Sequence, residues 1–297
     1  MHSEQNGSLT ACNICGSVSN FIRKELQREG FLCGNCSASS RHRAVIYVLG
    51  KCLGTSGIPL AAWSSHKEIR MLESSGRGPY PMMLKEKFEY INTEYQPAAS
   101  LMQQPSNRYA DFQQLAFPDQ QFDYVIATDV FEHIREDEKA FGEVYRVLKT
   151  DGVFIMTVPY NHDWEKTLVR VRTEGEKDIF LLPAEYHGGG GQTLAYRTYG
   201  RDLLERLRQH GFSVGCLELE IPQYAIVRQF LFVGVKSSYL DLSKFHSETI
   251  DENAYATIRA SPLILFRTFL FVKYNMLSFF HFGSEVLRKL NERFRKS

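Results

Sequence analysis

The chain lacks a dominant charge. Its 35 Lys and Arg face 34 Asp and Glu, a net charge of +1. No global field therefore draws it onto nucleic acid, and any such binding must come from a local patch. It also lacks a long unbroken apolar run. The densest stretch, residues 263–282, is interrupted by Arg267, Lys273, Asn275 and His281, whereas a membrane span needs about 20 mostly apolar residues. The opening MHSEQNGSLT has no apolar core, so no secretory leader and a cytoplasmic location are expected. Cysteine is sparse, six in 297 residues, and four of the six stand in two close pairs. That usage fits a metal site in a reducing compartment better than a disulfide framework. Hydrophobic content of 43% and charged content of 23% are ordinary for a soluble globular protein.

The most informative stretch is residues 117–159, FPDQQFDYVIATDVFEHIREDEKAFGEVYRVLKTDGVFIMTVP. Short runs at 124–127 and 153–158, rich in Val, Ile, Phe and Tyr, read as buried strands. Between them Phe131, Ile134, Ala140, Phe141, Val144, Tyr145, Val147 and Leu148 recur at spacings of three and four, which predicts an amphipathic helix. Asp151-Gly152 supplies a turn. Strand, helix and strand of this length form a crossover unit of a parallel sheet. Such sheets bind ligands at the carboxyl ends of their strands, where Thr128, Asp129, His133, Pro159 and Tyr160 stand.

PDQQFDYVIATDVFEHI followed by EVYRVLKTDGVFIMTVP resembles the second half of a class I S-adenosylmethionine-dependent methyltransferase domain of the type 11 kind. The resemblance rests on the Phe122-Asp123 pair, Asp129, Glu132-His133, Arg146-Val147-Leu148 and Gly152 in that order. It implies an α/β fold: a doubly wound, mostly parallel, seven-stranded Rossmann-like sheet. Residues 69–73 are the candidate first strand, and Glu73, Ser74 and Gly76 open the loop that would meet the cofactor. The family usually follows the acid with alternating glycines. Here two glycines are displaced by one position, with Pro79 close behind. Residues 88–95 read as the second strand. Glu94 follows the loop by about 20 residues, the place where doubly wound folds put the carboxylate that accepts from ribose hydroxyls. By resemblance, Asp111 would accept from the adenine amine, and Phe112 would offer its backbone N–H and a ring edge. Thr128 and Asp129 complete the expected cofactor set.

Cys12-x-x-Cys15 and Cys33-x-x-Cys36 form two knuckles separated by 17 residues, the spacing of a zinc ribbon. Four thiolates close a tetrahedron and leave no open position, so the predicted Zn²⁺ is structural. Gly16 and Gly34 are expected to give the knuckles their turn freedom. Cys52 and Cys216 read as buried apolar residues. Arg23, Lys24, Arg28, Arg41, His42 and Arg43 lie near the ribbon. Glu25 and Glu29 interrupt that run, so a folded cap with solvated basic residues is favoured over a nucleic-acid surface. The expected organisation is a ribbon plus helix over 1–56, the methyltransferase domain over 60–237 with an insertion at 160–197, and a helical tail over 238–297. The tail's aromatic and basic residues at 263–297 suit a membrane surface or a homo-oligomer contact.

His133 and His187 are the candidate general bases for a hydroxyl acceptor. The insertion, with its glycines at 188–191, reads as a substrate lid. The favoured function is methyl transfer to a small molecule or glycan. Two other readings stand beside it: a nucleic-acid or protein methyltransferase that holds its substrate with the ribbon, and a non-catalytic module that has lost its cofactor.

Overall fold

The computed structural model describes residues 11–18, 21–23, 30–95, 109–187, 193–237 and 239–240. The expected tail beyond residue 240, Lys24 and Arg28, and the glycines at 188–191 lie outside them. In chain order the elements are β1 (Phe21–Arg23), β2 (Phe31–Cys33), α1 (Ser40–Leu53), β3 (His66–Ser74), α2 (Tyr80–Lys87), β4 (Phe88–Tyr95), β5 (Tyr109–Ala110) and β6 (Phe122–Thr128). They continue with α3 (Asp137–Val147), β7 (Leu148–Thr157), the short β8 (Leu168–Val169), β9 (Val171–Glu174), β10 (Lys177–Phe180), β11 (Tyr186–His187), β12 (Thr193–Leu194) and β13 (Arg197–Thr198). Last come α4 (Leu203–Gln209), β14 (Ser213–Ile221) and β15 (Ile226–Val235).

Seven strands form one sheet in the order β14-β15-β7-β6-β3-β4-β5. From β5 to β7 every pairing is parallel; β15 and β14 close the edge antiparallel. Strand order reverses at β3, which pairs with β4 on one side and β6 on the other. That switch point leaves a crevice beyond the carboxyl ends. The apolar runs of β6 and β7 are buried on both faces, with Val125, Ile126, Ala127, Ile155 and Met156 at 0% exposure, as a covered parallel sheet requires. Asp151, with φ 61°, takes the expected turn inside β7. Phe131 stacks on Phe141 at 4.9 Å and leans on Phe154 at 5.5 Å, which joins the β6–α3 connection to the sheet.

The helix expected from Phe131 onward begins only at Asp137; residues 131–133 form a single 3-10 turn. The cause lies in the insertion. The buried Arg197 guanidinium donates to the carbonyls of Phe131, Ile134 and Arg135 at 3.2, 2.6 and 2.8 Å. A continuous helix would need those carbonyls for its own i+4 bonds. Asp137 then anchors the true start of α3, accepting from Tyr199 Oη at 2.8 Å and Arg206 Nη2 at 2.6 Å. So the helical periodicity was correct, but a distant arginine takes the first turn away.

The N-terminal module is stitched to the sheet. Ala11 N–H donates to Gln223 O, and Val227 N–H donates to Ser40 Oγ. Leu60 and Ala61 donate to Asn13 O and Ile14 O. Arg43 is fully buried and donates to the carbonyls of Phe31, Ala38, Tyr224 and Ala225, with the Phe21 ring 4.7 Å from its guanidinium carbon. Each carbonyl stranded without that donor would cost about 1–3 kcal/mol. The expectation that Arg41, His42 and Arg43 are solvated is therefore corrected: helix α1 turns all three inward. Ser39 caps α1, and its side chain accepts from His42 N–H while His42 Nδ1 accepts from Ser39 N–H, a capping box closed by an imidazole. At the second knuckle the left-handed residue is Ser37, φ 59°, rather than Gly34; Gly16, φ 77°, behaves as expected.

Candidate functional site

The carboxyl ends of β3, β4 and β6 and the turn after β5 bring together most of the predicted cofactor residues. Glu73 lies in the buried end of β3 at 0% exposure. Its two carboxylate oxygens accept from Tyr80 Oη and Tyr90 Oη. Burial raises its pKa to about 7, against the pull of those two hydrogen bonds. Ser74 is also fully buried. These two residues shape the loop from within. In the loop, Ser75 takes the left-handed conformation with φ 57°. Gly76 is required for space: a Cβ there would lie 2.6 Å from Glu73 Cδ and 2.8 Å from Tyr90 Oη. Gly78, φ 88°, would place a Cβ 2.6 Å from His42 Cε1. Both glycines thus serve the protein's own side chains, so they fall off the family's alternating positions. Asn92 fixes the loop from β4, accepting from Gly76 N–H at 2.9 Å and donating to Gly76 O at 2.8 Å.

Glu94 stands exposed near the end of β4. Asp111 is buried and accepts from Gln113 N–H at 2.9 Å and Gln113 Nε2 at 3.0 Å. The Phe112 ring is fully buried and meets Phe131 edge-on at 6.2 Å. Its ring packs in the core. Asp129, φ 51°, accepts from Thr157 Oγ at 3.1 Å and pairs with Arg41 from α1. Thr128 engages the Tyr80 hydroxyl. Sequence reasoning missed Arg41, Tyr80, Tyr90 and Thr157. The available signals were the tyrosine just after Gly78-Pro79 and the position of Arg41 in the first turn of a capped helix.

On the other flank, Glu132 and His133 sit on the 3-10 turn after β6. His133 Nδ1 contacts Leu194 O at 2.9 Å, a bond that only a protonated Nδ1 can make, so Nε2 carries the lone pair. Tyr196 N–H donates to Glu132 O at 2.8 Å. The insertion is thus tied to the turn, and it carries His187 to within 4.7 Å of His133, centroid to centroid. Burial depresses the His133 pKa. The two predicted bases do converge.

The four ribbon cysteines gather as well. Cys12 and Cys36 sulfurs lie 3.7 Å apart, and Cys15 and Cys33 sulfurs 3.8 Å. All four lie within 4.8 Å of one another. A Zn–S bond of about 2.3 Å gives a tetrahedral edge of about 3.8 Å, so the donor set fits the ion.

Residues 75–156 match the family model described as a methyltransferase domain. This stretch is thus similar to a methyltransferase domain. The match spans the loop after β3, β4, β6, α3 and most of β7, and leaves the ribbon and the insertion outside. Among curated relatives, the sterol 24-C-methyltransferase of Neurospora crassa is 43% identical over 58 residues, 18% of this chain and 15% of that protein. That of Aspergillus fumigatus is 37% identical over 76 residues, 24% and 20% respectively. The chain therefore matches a fifth or less of the length of those relatives. Among solved structures, the 1,6-didemethyltoxoflavin-N1-methyltransferase of Burkholderia thailandensis, with bound S-adenosylhomocysteine, overlaps with a TM-score of 0.39 at 17% identity, covering 67% of this chain and 79% of that one. An S-adenosylmethionine-dependent methyltransferase of Mesorhizobium loti gives 0.40 at 14%, covering 66% and 97%. These overlaps are partial, and the fold stands on its own strand order. No described helix is long and apolar enough to cross a membrane.

Proposed function

We propose that the chain is an S-adenosylmethionine-dependent methyltransferase whose cofactor lies across the carboxyl ends of β3, β4 and β6, with the acceptor between that edge and the insertion. The observation that carries this reading is the placement of Glu94, Asp111 and Asp129 at neighbouring strand ends of a switch-point crevice, inside the matched domain. The donor set fits the cofactor. Glu94 offers two oxygens to a vicinal diol. Asp111 offers an acceptor for an amine, and the Arg41–Asp129 pair presents a cation and an anion to a zwitterionic amino-acid end. When bound, S-adenosylmethionine supplies a methyl group on a positive sulfonium. The chain's part is chiefly positional, since aligning nucleophile and methyl lowers the barrier without covalent help. Glu73, Tyr80 and Tyr90 hold the loop, Asn92 ties it to β4, and the insertion shields the acceptor flank from water.

The ribbon holds a structural zinc ion in this reading and acts as a cap. The inward course of Arg41, His42 and Arg43 supports that role, because it turns two guanidinium cations away from the surface that a macromolecular substrate would meet. It also favours a small molecule or glycan as acceptor over nucleic acid. The test uses S-adenosylmethionine labelled in its methyl group, the zinc-loaded full chain and a size-fractionated cell extract. Label is expected in the low-mass or glycan fraction. Label in RNA or protein would move the acceptor to the other class. Failure to label any fraction, together with no cofactor binding, would overturn the reading.

A further inference from the structure

Glu132, His133 and His187 do more than line the acceptor flank. Their ligand atoms all lie within 4.8 Å of one another, and His133 Nε2 is 3.8 Å from Glu132 Oε1. A tetrahedral ion with bonds of about 2.1 Å needs ligand edges of about 3.4 Å, so side-chain shifts of about an ångström would close the set. The arrangement has the marks of a metal centre. The His133 tautomer is fixed by its Nδ1–H bond to a backbone carbonyl, which directs the Nε2 lone pair toward Glu132; such an orienting bond accompanies most metal-bound imidazoles. The rings of His133 and His187 are tilted by 59°, so they do not stack face to face. Glu132 is fully buried beside these two imidazoles. One hairpin serves both histidines: β11 carries His187, and β12, paired with it through His187 and Thr193, supplies Leu194 O. The set is separate from the ribbon cysteines and from the carboxylates assigned to the cofactor.

We propose that Glu132, His133 and His187 bind a divalent transition-metal ion that takes an oxygen of the methyl acceptor as a further ligand. Two imidazoles and a carboxylate on one side of an ion leave open positions, the pattern of catalytic rather than structural sites. The proposal deepens the methyltransferase reading and rests on it, because it names the acceptor class: a hydroxyl compound. Coordination lowers the pKa of the hydroxyl, and its proton leaves to bulk water. The oxygen then forms the new bond to the methyl carbon, the sulfur–methyl bond breaks, and its electron pair stays on sulfur as a neutral thioether. His133 and His187 are then ligands rather than proton acceptors.

The test is a Co²⁺ titration of the full chain with its ribbon already loaded with zinc, in the absence of S-adenosylmethionine and followed by visible absorption. Wild type is expected to bind cobalt with a spectrum of nitrogen and oxygen ligands and no thiolate charge-transfer band. His187→Ala should weaken that binding at least tenfold. His187 is part-exposed on a two-residue strand, so this variant keeps its fold; circular dichroism and an unchanged zinc content verify it. Glu176→Ala, which removes an exposed carboxylate between β9 and β10, should leave cobalt affinity unchanged. Cobalt entering only by displacing ribbon zinc, or equal affinity in wild type and His187→Ala, would overturn the proposal. Intact cofactor binding with no second metal would sink this inference and spare the methyltransferase reading; the converse would do the opposite.

Discussion

Cys33→Ser weakens S-adenosylhomocysteine binding at least tenfold, although the cysteine does not belong to the cofactor set. The reason is the path from the metal to the crevice. Cys33 closes β2, and Ala38 O and Phe31 O on either side of its knuckle are both held by Arg43. Arg43 lies in α1, whose first turn places Arg41 on Asp129 and His42 against Gly78 and Tyr80. With three thiolates the ion is lost or weakly held, and the base of α1 loses its support. Arg41 and His42 then withdraw from Asp129 and from the loop. Tenfold corresponds to about 1.4 kcal/mol, less than the loss of one well-placed charge pair. Calorimetric titration of both forms, with zinc content measured in parallel, checks it. Cys52→Ser, a cysteine outside the ribbon, should change neither quantity. A zinc-free, folded Cys33→Ser with undiminished affinity would show that ribbon and crevice are independent.

The second large effect is a pH dependence centred on Glu73. Its ordinary value is near 4.5, and burial raises it to about 7 in the folded chain. With the folded pKa above the unfolded one, the folded state holds a proton that the unfolded state has released between those limits. Its contribution to stability is therefore full below about pH 4.5 and lost as pH rises through about 7. The displacement amounts to about 3 kcal/mol. Glu73→Gln cannot ionise, so it escapes this loss. Urea unfolding of both proteins at pH 5 and pH 8 should show the variant gaining about 2 kcal/mol on wild type between the two conditions, the rest of the displacement lying below pH 5. Every other titrating group is common to the pair and cancels. A wild-type-to-variant difference that does not move with pH would mean that Glu73 is ionised throughout, held by its two tyrosines.

Much of this was legible in the sequence, because short buried strands and paired cysteines are local signals. The expected bounds of β4 match to the residue and those of β6 lie within two, whereas β7 begins five residues before its expected start. What escaped was carried by contacts between distant positions. Nothing local in FEHIRED reveals that Arg197, more than sixty residues onward, takes the carbonyls of the first helical turn. The inward course of Arg41 and Arg43 was equally hidden: a run of basic residues reads as a solvated surface until the acceptors appear, and here those are Asp129 and four backbone carbonyls. The irregular glycine loop was noticed, but its cause was not. Gly76 and Gly78 answer to Glu73, Tyr90 and His42, side chains brought from β3, β4 and α1. The convergence of His133 with His187 depended on how the insertion folds back, which its sequence did not disclose.

Titration calorimetry with S-adenosylmethionine on zinc-loaded wild type and Glu94→Ala asks most directly whether the carboxyl edge of this sheet is a cofactor site. Glu94 is exposed and away from the core, so its removal leaves the fold intact and tests the ribose contact alone. Micromolar binding by wild type, weakened at least tenfold in Glu94→Ala, is the expected result. Well-folded wild type that binds neither S-adenosylmethionine nor S-adenosylhomocysteine would contradict the assignment, and the chain would then be a methyltransferase fold serving as a binding module.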